Sequence, residues 1–411
     1  MKRAPFALFL LVLAGCSGGL PALQVTLVDG IGEPLQPLAA AWRLGAPPFA
    51  WNALPTGQFS WSLPIPPGAR FQVAFRCPSA GSTDFYVSLD LRRSEVGNQL
   101  MVRCPSVYAS PLTSTNGTLN VSLTSGQAFS ARHQVAVSGS TFTGLQVPQG
   151  NGREVAVFGD SGGTPHFGRL GALNITGPTN LSLTLSPITA TLNVTTPPGF
   201  FSYAGLVLQS FVPVDLASWT GLLPPGTPQP VPRPALQGGD LFQFWTCHGF
   251  SCAILRELST SPAVAPGASL NLNVPPLTLS GSETHTPTAL PTFSNITTSG
   301  FSPGLSFLGY ALLLAEPGVR YWRHFLSPGA LGNATSYYVD VENAPGFAGV
   351  VPTVGSSVQL RATAFAGNQP LAVLLAQRPI PEETFAAHTL FLDRFWPVHL
   401  EAALLSASFT W

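Results

Sequence analysis

Beyond Lys2 the 411-residue chain contains no lysine. That removes lysine Schiff bases, Ser–Lys dyads and Lys–Asn cross-links from the chemistry open to the rest of the chain. Charge of either sign is scarce: Asp, Glu, Lys and Arg make up 9% of residues, against about 25% in an average soluble domain. The 18 basic and 18 acidic residues cancel, so no basic field exists to attract nucleic acid. A long apolar run is missing after the first fifteen residues, which argues against a spanning helix further on. No glycine-rich phosphate loop or calcium-loop pattern occurs, and no cofactor is implied. Of the five cysteines, none belongs to a His/Cys cluster able to supply four metal ligands, so no metal is expected.

What is present is glycine and proline, 41 of each, in a chain that is nonetheless 45% hydrophobic. That apolar fraction is enough to build a core. Short Val/Leu/Phe/Thr alternations separated by Pro, Gly and Asn predict an all-β protein.

The first residues read MKRAPFALFLLVLAGCSGG. Lys2 and Arg3 precede an apolar run from Phe6 to Ala14 that is too short to span a bilayer. Leu13-Ala14-Gly15-Cys16 resembles the bacterial lipoprotein box. The resemblance implies a cleaved signal peptide over 1–15, a lipidated Cys16 and a tether over 16–22. Acyl chains on Cys16 would supply membrane affinity. Ser17, in place of Asp, resembles the class sorted to the outer membrane. Loss of Lys2 and Arg3 with the signal leaves 16 basic and 18 acidic residues, a net charge of −2.

An internal repeat organises the remainder. Leu63–Leu89, Leu145–Leu173, Val231–Leu258 and Val350–Gln377 each begin with an apolar–Pro pair and a Gly-bearing turn. Each continues as an alternating strand, meets a small-residue turn and returns as a second strand. The anchoring prolines are Pro66, Pro148, Pro232 and Pro352. Such spacing suits seven-strand sandwiches. It divides the chain into β-sandwich modules over 23–105, 106–187, 188–282 and 283–411. Strung end to end, the modules would project on the order of 100 Å from the membrane. Thr384–Leu392 and Pro397–Leu405 fit either a strand or a short helix.

The first module carries VTLVDGIGEPLQPLAAAWRL and GQFSWSLPIPPGARFQVAF. These resemble the opening strands, D-x-x-G-x-P-L turn and L-P-x-G-x-Y-x-V pattern of carboxypeptidase-regulatory-like and prealbumin-type domains, with Phe71 at the aromatic position. The resemblance implies tandem antiparallel, Ig-like or prealbumin-like sandwiches that serve as spacers, adhesive domains or binding accessories.

Four cysteines remain besides Cys16, an even number in an exported chain, and disulfides are the default. Local pairing predicts Cys77–Cys104, worth about 3 kcal/mol through loop entropy, and Cys247–Cys252. A thiolate–imidazole metal site using His248 is the rival for the second pair.

The stretch Gly159-Asp160-Ser161-Gly162-Gly163 resembles the nucleophile signature of trypsin-like serine proteases. A serine nucleophile needs a base and an orienting carboxylate. Upstream there is only His133, and His388 lies far downstream in a different module. The repeat puts GDSGG where module one has CPSAG, which predicts a hairpin turn. No catalytic residue is assigned, and Glu382-Glu383 reads as a solvated pair. Tyr321, Trp322, Tyr337 and Tyr338 in module four are candidates for stacking on a sugar. The expectation is a lipid-anchored, non-enzymatic envelope protein with a structural, adhesive or assembly role and an envelope protein or glycan as partner. Carbohydrate or peptide binding through the module-four aromatics is the alternative, and a hydrolase stands third.

Overall fold

The structure is a computed structural model. It describes residues 22–45, 49–80, 82–104, 109–131, 133–209, 212–216, 220–249, 251–376 and 399–411. Cys16, Glu382, Glu383 and His388 lie outside the described residues, as does 384–398.

The protein is an all-β sandwich assembly. Its first seven strands are β1 (Leu23–Val28), β2 (Ala39–Leu44), β3 (Asn52–Ala53), β4 (Ser60–Leu63), β5 (Arg70–Ala80), β6 (Thr83–Arg92) and β7 (Gln99–Arg103). β1 pairs antiparallel with β4 and parallel with β7, and β3–β2–β5–β6 forms the facing layer. Alternate residues Leu23, Val25 and Leu27 of β1 face the core, as a half-buried strand requires.

Next come β8 (Leu112–Phe129), β9 (Gln134–Pro148), β10 (Gly150–Ser161), β11 (Thr164–Ile175), β12 (Thr179–Leu183) and β13 (Ser186–Pro187). β8 is one long strand. Its first half pairs parallel with β12 and its second half antiparallel with β10, through three register shifts along β9.

Seven further strands then repeat the connectivity of the first seven. They are β14 (Thr191–Thr195), β15 (Phe201–Val207), β16 (Pro213–Asp215), β17 (Gln229–Pro232), β18 (Leu241–His248), β19 (Ser251–Leu258) and β20 (Ser269–Asn271). β14 pairs antiparallel with β17 and parallel with β20, and β16–β15–β18–β19 forms the facing layer. The first and third copies of the sequence repeat thus share one strand pairing.

The last strands are β21 (Thr278–Thr286), β22 (Ala289–Ser299), β23 (Ser306–Glu316), β24 (Arg320–Leu326), β25 (Ser336–Tyr338), β26 (Ser357–Gly367) and β27 (His399–Thr410). This fourth segment does not share that pairing and is ordered β21–β22–β25 and β27–β26–β23–β24. The four-residue helix α1 (Pro328–Leu331) follows β24, and α2 (Leu371–Ala376) follows β26. In the fourth repeat, the segment expected to return directly as a strand is therefore α2. Leu and Ala are strong helix formers, and Leu371, Leu374 and Leu375 share one face of α2 and are buried. The returning strand is β27, which makes 399–405 strand.

The segments do not stand end to end. The sheet order β16–β15–β18–β19–β27–β26–β23–β24–β6–β5–β2–β3 is one continuous twelve-stranded sheet. Four strands from 188–282, four from 283–411 and four from 23–105 lie side by side. The junctions are β19–β27, antiparallel, and β24–β6, parallel. At its ends lie strands of three and two residues, short edges that offer little template for pairing with another chain. The sheet β4–β1–β7 covers one face and the sheet β21–β22–β25 the other. Leu308, Ala311, Leu313 and Phe325 pack with the first, and Tyr310, Leu312, Leu314 and Trp322 with the second. Burial on both faces explains why FLGYALLLA in β23 is a continuous apolar run and not an alternation. The segment 106–187 stays outside this sheet. Phe129, Phe158 and Phe167 join the core around Phe242 and Phe244.

Candidate functional site

GDSGG forms a two-residue hairpin turn. Ser161 pairs with Thr164 across the β10–β11 ladder, and Gly162 and Gly163 between them have φ of 60° and 85°. Positive φ at both central positions defines the turn whose twist matches antiparallel strands, which accounts for the two glycines. Ser161 Oγ donates to the Ser122 carbonyl at 2.9 Å on the surface. Hairpins also join β5 to β6 and β18 to β19, with Ala80 paired to Thr83 and His248 to Ser251.

Both disulfides are formed. Cys77 at the β5 end of the large sheet bonds Cys104 just past β7, with Cα atoms 5.8 Å apart. This bridge ties the two layers of the first sandwich through its core, since both residues are fully buried. Cys247 and Cys252 face each other across β18–β19 and are bonded. Both sulfurs are thereby unavailable as thiolate ligands, and His248 instead packs beside Phe200 with ring centroids 5.1 Å apart.

The four aromatic candidates are not a platform. Trp322 is 1% exposed and Tyr337 3%, so neither offers a face to a sugar. Tyr321 is half-buried and stacks on Phe85 at 5.4 Å. Tyr338 is half-buried, and its hydroxyl donates to Glu342. Pairing of β24 with β6 turned Trp322 inward, because the strand lies between two covering layers.

In place of a platform, these residues belong to a buried polar relay at the β6–β24 seam. The parallel register sets His324 opposite Ser88. Trp322 Nε1 donates to Ser88 Oγ at 2.9 Å, and that oxygen lies 2.8 Å from His324 Nδ1. His324 Nε2 lies 2.8 Å from the Tyr337 hydroxyl, which donates to Asp90 Oδ2 at 2.7 Å. Arg70 Nε donates to Asp90 Oδ1 at 2.9 Å, and Gln72 Nε2 also donates to this carboxylate. Arg43 Nε continues the chain to Gln72 Oε1 at 2.8 Å. Its guanidinium forms a bidentate ion pair with Asp340 and lies over the Trp51 ring.

Ser88, Asp90, Gln72, Arg43 and His324 are each no more than 1% exposed. Burial, aided by the Arg70 charge, lowers the His324 pKa from 6.5 to about 3, so the ring is neutral. Burial, then the Asp90 charge, pushes the Tyr337 phenol well above its usual range. Ser88 beside His324 has the atom types of a nucleophile and base, but no substrate can reach an oxygen enclosed on both sheet faces. What the relay can do is hold three elements in one register. An unpaired buried charge is heavily penalised, so Asp90 is tolerated only when Arg70, Gln72 and Tyr337 are all in place. Trp322 and Tyr337 were singled out in the sequence only for stacking, and Arg43, Arg70, Gln72, Ser88, Asp90 and His324 were not singled out at all. The signal was present as polar residues alternating with core positions in Tyr86-Val87-Ser88-Leu89-Asp90-Leu91 and Trp322-Arg323-His324-Phe325.

Ionic ties reinforce the other junctions. Arg153 pairs with Glu33 at 2.6 Å, joining the second segment to the first. Arg169 pairs with Asp240 at 2.5 Å and also with Glu154, joining the second to the third. Glu95 accepts from Gly329 N at 2.6 Å and from Ser327 Oγ, clamping the start of α1 to the first segment. Among the described residues no group of three or more His, Cys, Asp or Glu is placed to hold a metal, and no helix is long and apolar enough to cross a membrane. Comparison of the chain with protein-family models and with curated proteins finds no match.

Proposed function

We propose that the protein is a lipid-anchored scaffold of the bacterial cell envelope, tethered through Cys16 and presenting a broad, rigid β surface. The observation that carries this reading is the fusion of three four-stranded layers into one sheet cross-braced by buried ion pairs. Twelve strands at about 4.8 Å spacing make a sheet about 50 Å wide. The polar residues with catalytic atom types found at its seam are consumed in holding it together. The Leu13-Ala14-Gly15-Cys16 box supports the anchor. Only about six residues separate Cys16 from β1, a reach of at most ~20 Å, so the first sandwich would lie against the membrane. The whole sheet would then be held near the surface with it.

Metabolic labelling with an alkynyl palmitate in a bacterial host tests the anchor. The wild-type chain is expected to carry the label and to sediment with membranes, and Cys16→Ala is expected to lose both. A wild-type chain that is secreted unlabelled would defeat the reading. Cross-linking in intact membranes tests the scaffold role, which predicts recovery of defined envelope partners attached to the broad surface.

A further inference from the structure

The hairpin β21–β22 does not lie flat on the large sheet. Its ladder is interrupted by register shifts between Ser280 and Ser282 and between Thr284 and Thr286. Asn295 on the opposite strand has a φ of 53°. Extra residues of this kind bend a strand away from its neighbour. Beneath the arch the floor has small residues where larger ones would reach the hairpin. Ala362 of β26 is paired with Leu405 of β27, and Ala407 with Leu360. The result is a cavity of about 150 Å³ whose walls include Leu279, Phe293, Ile296, Leu312, Leu360 and Leu405.

Three features of this cavity point to an occupant. The pocket is partly open, since Ser280, Ser282 and Ala407 of its lining are exposed, but its Leu, Ile and Phe walls favour an apolar guest over water, and its volume suits a molecule the size of benzene. Tyr310 lines the cavity, is 4% exposed, and its hydroxyl has no hydrogen-bond partner among the described residues. A guest that carries a hydrogen-bonding group can pair with this hydroxyl in place of water. Glu283 also lines the cavity and sits 3.1 Å from His285, whose ring packs against the neighbouring rings of Phe409 and Trp411 at 4.5 and 4.8 Å. A carboxylate at the wall disfavours an anionic guest.

We propose that the arch between β21–β22 and β23–β26–β27 is a binding site for a small uncharged apolar molecule. Its guest is the size of a single six-membered ring and carries one hydroxyl or carbonyl group to pair with Tyr310. The site is independent of the lipid anchor.

Thermal unfolding of the purified full-length chain with benzyl alcohol, toluene or benzoate tests it. Benzyl alcohol and toluene near saturation are expected to raise the midpoint by about 1–2 °C, as selective binding to a folded chain of this size requires. Benzoate is expected to leave it unchanged. Ala362→Phe is expected to fill the space and abolish both shifts. Ala407→Leu, at an exposed position, does the same with less risk to folding. At equal concentration benzyl alcohol is expected to shift the midpoint more than toluene, and Tyr310→Phe is expected to remove that difference. Absence of any shift, a shift that survives in the filled variants, or an equal response to benzoate would each overturn the proposal.

Discussion

At the residue scale, His324 is the most informative group. Its ring bridges Ser88 and Tyr337 as a neutral imidazole whose pKa has fallen to about 3. The unfolded chain titrates this residue near 6.5. Between those values the unfolded state holds the extra proton, so stability falls as pH drops through that window and is fully present above it. One proton contributes a slope of at most about 1.4 kcal/mol per pH unit. Burial raises the pKa of Asp29 and Glu342. A raised carboxylate favours the folded state as pH falls, so these two oppose the histidine. Thermal melts from pH 7 to pH 3.5 are expected to show declining midpoints. His324→Gln should flatten the decline while lowering the midpoint at pH 7, and an unchanged pH profile would show that His324 does not titrate as described.

At the element scale, the hairpins were legible and their surroundings were not. Turn residues act locally, so GDSGG could be read as a turn from its glycines and its place in the repeat. Urea unfolding is expected to show Ser161→Ala within about 0.5 kcal/mol of wild type. Gly163→Val should lose about 1–2 kcal/mol, since a β-branched residue is forced to positive φ. Loss of stability on Ser161→Ala comparable to that of Gly163→Val would refute this assignment. The fate of Leu371–Ala376 was less legible, because a short Leu/Ala/Val segment satisfies a buried strand or a helix equally. Contact of its leucines with the core around β7 chose the helix. Trp322 and Tyr337 were misread for a related reason: an aromatic residue in a strand has the same local pattern whether its face meets solvent or a second layer.

At the scale of the whole molecule, chain order and spatial order part company. The last segment lies between the third and the first in the sheet. A chain ending at 282 therefore lacks the neighbours of both β19 and β6 and leaves two long central strands as open edges. Exposed apolar edges of this kind promote association. Size-exclusion chromatography of the 17–282 fragment is expected to show aggregates, against a monodisperse 17–411 chain. A monomeric 17–282 fragment melting cooperatively would contradict the dependence of the first and third segments on the fourth. Small-angle scattering of 17–411 should likewise report the breadth of one sheet, where an end-to-end array would report a longer particle.

The sequence by itself determined the fold class, the likeness of the first and third segments, the GDSGG turn and the cysteine pairs. Each of these depends on contacts within a few tens of residues or on local backbone geometry. Only the tertiary structure decided that three layers merge into one sheet, that the module-four aromatics turn inward, and that Ser88, Asp90, His324 and Tyr337 meet. The β6–β24 pairing joins residues more than two hundred positions apart. No local pattern encodes which of several apolar strand edges will meet. That choice rests on matching buried polar groups across the seam, where a missing partner leaves a charge or hydroxyl unpaired in the core.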